Sequence, residues 1–401
     1  MTGAQDRLGD ATAGPCAGIK VLDLSTVVSG PMCGRLLGDL GADVVKLEST
    51  EGDMLRAFPP LYRGMSGYFM QMNRNKRGIA IDLKTGQGRR LAQELAAEAD
   101  VFIENFRPGV AARLGLDYAS LRDRNPRLIY AAINGVGDEG PYADQPTYDQ
   151  VIQGLVGFMP VQGADGPPMP IRNPIVDKVT AMSAALAILA ALNHRHASGC
   201  GQRINTRMLD TWAAFILPER MHNYTFQSAD APEAVVRDVY RIFETRDGHV
   251  IGLVLQDNQF RGICTALGRH DIADDPRFAT PAARTSNFGA LHTELKADIA
   301  RLSTQEFLTS ARRHQVPFAP VNDIDAFFSD PQVRHNGAFF EADDPEFGTL
   351  RHLGFMAAFG ATPSTLRRRA PKLGEHTDEV LGELGYSAEA IGEFRSAGLV
   401  R

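Results

Sequence analysis

The chain has 401 residues, 44% of them apolar and 22% charged, with a formal net charge of -6. That length exceeds one ordinary core and points to two or three domains, and the composition excludes a disordered chain. The acidic balance excludes a general basic footprint for nucleic acid, so an anionic ligand must be held by local cations.

Residues 1–17 are small and polar, lack an apolar signal core, and read as a disordered leader. Residues 19–24 (IKVLDL) form a short buried strand. Gly30-Pro31 opens a helix that runs through Leu40, and residues 43–47 (DVVKL) form a second strand. Strand, helix, strand at this spacing is a βαβ unit. The turn between them (SGPMCGRLLG, residues 29–38) resembles a dinucleotide loop, but its glycines miss the G-x-G-x-x-G pattern. A nicotinamide or flavin oxidoreductase is therefore disfavoured.

Arg74, Lys76 and Arg77 crowd together in N-R-N-K-R, and Lys84, Arg107 and Arg113 follow near strand ends. They are either solvated loop residues or a phosphate site, where Arg gives bidentate contacts and Lys a point charge. Residues 88–99 form a helix, and residues 101–104 and 128–133 form strands, the last ending at Asn134-Gly135. This alternation predicts an open parallel α/β sheet with helices on its faces.

Residues 177–195 form a long helix buried on most sides. Its most apolar stretch, residues 179–192, is too short to span a bilayer. Asp177 stands at the helix start, where a carboxylate caps free amide groups; beside a cleft those amides would also stabilise an oxyanion. Residues 203–206 form a strand, and a helix starts at Met208.

Beyond residue 225 the pattern becomes a hairpin (residues 240–243 and 249–255 around Asp247-Gly248), helices up to His314, and a Pro-interrupted segment at 317–321 suited to a sheet edge. This is a smaller α+β domain. Strands at 338–341 and 350–355 and a polar helix at 378–384 complete the chain. Cys16, Cys33, Cys200 and Cys264 match no disulfide or zinc framework, which indicates a reduced, cytoplasmic compartment. His194 and His196 project to different sides of a helix end, His376 fits a helix cap, and no metal site is expected. No G-x-S-x-G elbow is present.

Several segments together resemble one family. They are VLDLSTVVSGP (residues 21–31), GADVVKLE (41–48), NRNKR (73–77), IDLK (81–84), ENFRPG (104–109), RLGL (113–116), NPRLIYA (125–131) and GPY (140–142). AILAAL (187–192), DPQVR (330–334) and LGEHTDEVL (373–381) continue the series. From about residue 18 onward the chain is similar to the class III CoA-transferases of CaiB/BaiF type. That family includes formyl-CoA:oxalate and carnitine-type CoA-transferases and the α-methylacyl-CoA racemases.

The resemblance implies a large Rossmann-like α/β domain built from both chain ends (residues 18–224 and 331–401). A smaller domain (225–330) is inserted, and two subunits interlock as a homodimer. It implies Asp177 as the covalent nucleophile. It also implies Val27, Val28, Ile81, Lys84, Asn105, Phe106 and Arg113 as coenzyme A contacts. Ser49-Thr50 stands where some transferases place an arginine for the CoA phosphates, so Arg74 and Lys76 are candidates for that task. Tyr148, Met169 and Arg172 are candidates for the acyl pocket. Coenzyme A is implied as a substrate, with no tightly bound cofactor.

The implied reaction moves CoA from an acyl-CoA to a free carboxylic acid through an aspartyl mixed anhydride and an aspartyl-CoA thioester. The racemase branch is the rival on the same fold. It needs a base where Tyr148 stands, and a free tyrosine titrates near pH ~10. A CoA-binding protein without catalysis is the rival of another class. Gln256 to Phe260 (QDNQF) occupies the place of a glycine-rich shielding loop found in the formyl-CoA transferase type, which leaves the shield here unassigned.

Overall fold

Six strands make one sheet, in the order Lys76–Ala80, Asp43–Glu48, Lys20–Asp23, Val101–Glu104, Ile129–Asn134 and Gln202–Arg207, and every pairing is parallel. The computed structural model describes residues 14–164, 166–228, 230–231 and 239–401. Contacts divide the chain into two units, Met1–Glu219 with Ala338–Arg401, and Arg220–Gly337. The sequence reading set the smaller domain at residues 225–330.

In the first unit, side chains alternate across the sheet and feed two cores. Val21, Val44, Val101 and Ile129 face one side, where the helices Ser29–Asp39 and Ile175–Ser198 cover them. Leu22, Val45, Phe102 and Tyr130 face the other, beneath Gly86–Glu98 and the C-terminal helices Thr377–Glu383 and Ala388–Ser396. Each such side chain contributes about 1.5–3 kcal/mol of burial. A small antiparallel hairpin, Phe339–Asp344 with Gly348–Leu353, belongs to the same unit.

The edge strand Lys76–Ala80 is absent from the sequence reading, which left its two cations as solvated loop residues or part of a phosphate site. All five of its residues are buried. The charges are hidden because each has a partner. Lys76 Nζ lies 2.7 Å from Asp23 Oδ2, and Arg77 is bonded to Asp43, Glu379 and Glu383. Of the expected leader, residues 1–13 lie outside the described residues. The remainder is ordered: Cys16 is buried and its N–H donates to the Leu40 carbonyl at 2.8 Å.

The long helix runs Ile175–Ser198, two residues earlier than expected. Asp177 is therefore its third residue and not its cap; Pro174 holds the cap position, with no side-chain bond. The helix is long and apolar enough to cross a membrane by length and composition. Here Val176, Ala181, Ala184 and Ile188 are buried in the unit's own cores. Gly199 ends it in the left-handed region, at φ 76°, where glycine carries no Cβ penalty.

The second unit carries a three-stranded antiparallel sheet, ordered Phe318–Pro320, Gly248–Gly252, Ile242–Thr245. The Pro-interrupted segment is its edge strand. Helices Asp257–Leu267, Phe288–Ala300 and Thr304–Arg313 pack over Phe243, Val250, Phe260, Leu295 and Phe307. Gln256 and Gln259 form a reciprocal capping box, so QDNQF starts a helix instead of a loop.

Candidate active site

In an open parallel sheet the loops at the carboxyl ends of the strands leave a crevice. In the first unit, residues following Asp23, Glu104 and Asn134, with Met208 after Arg207, bound a cleft of about 510 Å³, and Asp177 stands in its wall.

The first loop is held from two sides. Thr26 N–H donates to Asn105 Oδ1 at 2.9 Å, and Asn105 Nδ2 donates to the Thr26 carbonyl at 2.8 Å. Asn105 thus acts as a peptide mimic that ties two strand ends together. Val27 adopts φ 68°, a left-handed conformation that costs a β-branched residue about 1–3 kcal/mol. Its N–H points between the carboxylate oxygens of Asp53, 3.3 Å from each. Asp53 is in turn bonded to Lys46 at 3.1 Å, with both side chains fully buried. Lys46 also donates to the Ser25 carbonyl at 2.8 Å. Gly30 is required here, since a Cβ would lie 2.1 Å from the Ser25 Cβ.

The helix Ser29–Asp39 starts at this loop without a side-chain cap. Among the described residues, no acceptor takes the backbone N–H of Ser29 or Gly30, as expected for the first turn of an uncapped helix. Ser29 and Asp177 both line the cleft, and the Ser29 side chain acts to lower the Asp177 pKa.

Asp177 is flanked by a second carboxylate. Its N–H donates to Asp149 Oδ2 at 3.1 Å, and Gln153 Nε2 donates to Asp149 Oδ1 at 2.6 Å. Gln153 also receives the Ile171 N–H at 2.9 Å, which fixes the segment that leads into the long helix. Burial first, and the Asp149 charge second, push the Asp177 carboxyl up to about 7; Ser29 and Lys178 pull the other way. A carboxyl so placed is a stronger base and nucleophile than a solvated one once it is ionised.

The cleft collects Val27, Asn105, Phe106, Arg113, Tyr148 and Asp177 from the sequence expectations. It leaves out the others. Val28 is buried behind the helix start, and Ile81 is fully buried in a bridge to Val400. Lys84 is exposed, with Nζ 3.6 Å from Glu51. Met169 and Arg172 are exposed and line no part of this cleft.

The assignment of Arg74 and Lys76 to phosphates is corrected by their burial. Arg74 is fully buried and bidentate to Asp39, at 3.0 and 2.8 Å. Lys76 gives all three donors away, to Asp23, the Pro31 carbonyl and Asn73. Arg107 and Arg113 are the cations that do line the cleft, and both are exposed.

Sequence reasoning missed Ser29, Asp149 and Gln153. Asp149 and Gln153 carry a faint signal, an acid and an amide four residues apart on a short helix. Nothing local shows that they support the turn before Asp177.

The family described as CoA-transferase family III matches residues 16–377. The chain is 38% identical to a succinate–glutarate CoA-transferase of Agrobacterium fabrum, over 92% of this chain and 96% of that protein. It is 33% identical to the human succinyl-CoA:glutarate CoA-transferase, over 96% and 90% respectively. A crystal structure of a CAIB/BAIF family protein from Brucella suis superposes with a TM-score of 0.81 at 36% identity, covering 93% of this chain and all of that one.

Proposed function

The chain belongs to CoA-transferase family III, and from that membership we propose that it transfers coenzyme A between dicarboxylic acids, with Asp177 as the covalent nucleophile. The observation that carries the reading is one place in the cleft, where Asp177, partly buried, and Ser29 share the lining beside the uncapped start of the helix Ser29–Asp39.

The chemistry balances without a metal or a net proton. The Asp177 carboxylate attacks the donor thioester carbon, the C–S bond breaks, and CoA leaves as thiolate. The thiolate attacks the carboxyl carbon of Asp177 in the mixed anhydride and expels the donor acid as carboxylate. An acceptor carboxylate then attacks the aspartyl-CoA thioester, releasing thiolate again. That thiolate attacks the acceptor's carbonyl in the new anhydride and frees Asp177. Each tetrahedral intermediate carries an oxyanion, and the free amides at the start of Ser29–Asp39 are suited to receive it. Water must be kept out, since anhydrides hydrolyse.

Arg107 and Arg113, exposed at the cleft, are the proposed phosphate contacts. Val27 and Phe106 are the proposed apolar contacts to the CoA arm. Dicarboxylates are the proposed acids because the relatives named above act on succinate and glutarate. The proposed working form is an interlocked homodimer in a reducing, cytoplasmic compartment, and the free state of all four cysteines is compatible with that.

The test is exchange between succinyl-CoA and a panel of dicarboxylates by wild type and Asp177→Ala. The reading expects turnover that the substitution abolishes while the fold persists. Turnover retained by Asp177→Ala overturns the nucleophile.

A further inference from the structure

A second cavity of about 300 Å³ lies in the first unit, between the hairpin Phe339–Asp344/Gly348–Leu353 and residues 366–369 and 375–376. It shares no lining residue with the cleft that holds Asp177.

Its acidic groups are already engaged. Asp344 Oδ2 is 3.1 Å from Arg369, and Asp344 Oδ1 accepts the N–H groups of Glu346 and Phe347. Glu375 holds Arg369 at 2.7 Å and accepts the Lys372 N–H. Asp343 accepts the Thr349 hydroxyl at 2.8 Å.

Its donors are not. The N–H of Arg368 donates to Asn75 Oδ1, but its guanidinium has no hydrogen-bond or ion-pair partner among the described residues. Arg367 gives Nη2 to the carbonyls of Gly38 and Ala42, while its buried Nε has no acceptor. His352 is 1% exposed, and neither ring nitrogen has a partner. His376 Nδ1 accepts the Gly78 N–H at 3.1 Å, so the neutral ring carries its proton on Nε2, as a further donor. Buried donors without acceptors are costly and rare in folded proteins.

We propose that this cavity binds a small oxyanion, a phosphate or a carboxylate, through Arg368, His376 and His352. The anion supplies the acceptors that the protein lacks there, and Arg368 supplies the balancing charge in a planar fork. Burial and then Arg74 push the His352 ring down to about 4, with Asp39 opposing; burial lowers His376 as well, where Glu375 opposes and Arg368 adds to the lowering.

The experiment is calorimetric titration of the full chain with inorganic phosphate and, separately, with succinate, at an ionic strength fixed by sodium chloride. At least one anion is expected to bind saturably. Arg368→Gln is expected to weaken it about tenfold or more, the loss of one charge-assisted contact, and Arg113→Gln to leave it in place. The basal CoA transfer of Arg368→Gln, without added phosphate, is expected to match wild type. The two arms decide which oxyanion is preferred. A second variant, His352→Phe, separates binding from folding. It removes two orphaned nitrogens, so it is expected to raise Tm while weakening the anion. Absence of saturable binding for both anions, or unchanged affinity in both Arg368→Gln and His352→Phe, overturns the proposal.

Discussion

The backbone N–H of Asp177 donates to the side chain of Asp149, 3.1 Å away, so a carboxylate from another helix stands in for the missing cap of the long helix. The same contact sets a like charge beside the Asp177 carboxyl. Asp149→Asn keeps an acceptor and removes the charge. It is expected to lower the Asp177 pKa and move the acidic limb of kcat/KM to lower pH. Asp149→Ala loses the acceptor as well and is expected to cost about 1 kcal/mol of stability, the usual worth of a helix cap. A pH–rate profile and a denaturant melt check the two parts.

In the proposed reaction Asp177 attacks as a carboxylate, and its carboxyl is pushed up to about 7. The rate is therefore expected to rise with pH through that region and level off above it. Stability runs the other way. The folded pKa lies above the ordinary value of 3.8, so the contribution of this group is full below that value and is lost as pH rises to about 7. Asp177→Asn should match wild type in Tm near pH 4 and exceed it near pH 8. Equal Tm differences at both pH values would show that burial does not perturb the carboxyl.

Asp53 holds Val27 in the left-handed conformation while pairing with the buried Lys46. Asp53→Asn is expected to cost about 3–5 kcal/mol, because it strands a buried ammonium, and to lower kcat through the loop that carries Ser29. Val27→Gly removes the strain the carboxylate opposes. In that background, the further loss of kcat on Asp53→Asn is expected to be smaller. A double-mutant cycle on kcat reads the difference.

The buried and exposed cations separate by experiment. Lys76→Met leaves Asp23 unpaired in the core and is expected to destabilise by about 3–5 kcal/mol with little change in KM for acyl-CoA. Arg113→Ala is expected to raise that KM several-fold, more at low salt, with Tm unchanged. Melts and KM at two salt concentrations test both.

Legibility followed the range of the interactions. The strands at 20–23, 43–48, 101–104 and 129–134 were readable because each holds a short run of adjacent apolar residues, as a strand buried on both faces does. Lys76–Ala80 was not, since its charges become core residues only once Asp23 and Asp43 arrive from distant segments. Asp177 was marked by its place before an apolar helix and by resemblance. Asp149, which supports it, lies 28 positions earlier, and only the folded chain joins them. Arg74 drew attention as part of a basic cluster, yet its partner Asp39 is 35 positions away.

The most direct test of the account is intact-protein and peptide mass spectrometry after mixing with succinyl-CoA and trapping with hydroxylamine or borohydride. The account predicts a CoA adduct, or a converted side chain, that maps to Asp177 and is absent from Asp177→Ala. Turnover without any modification of Asp177, or an adduct on another residue that survives Asp177→Ala, would contradict it.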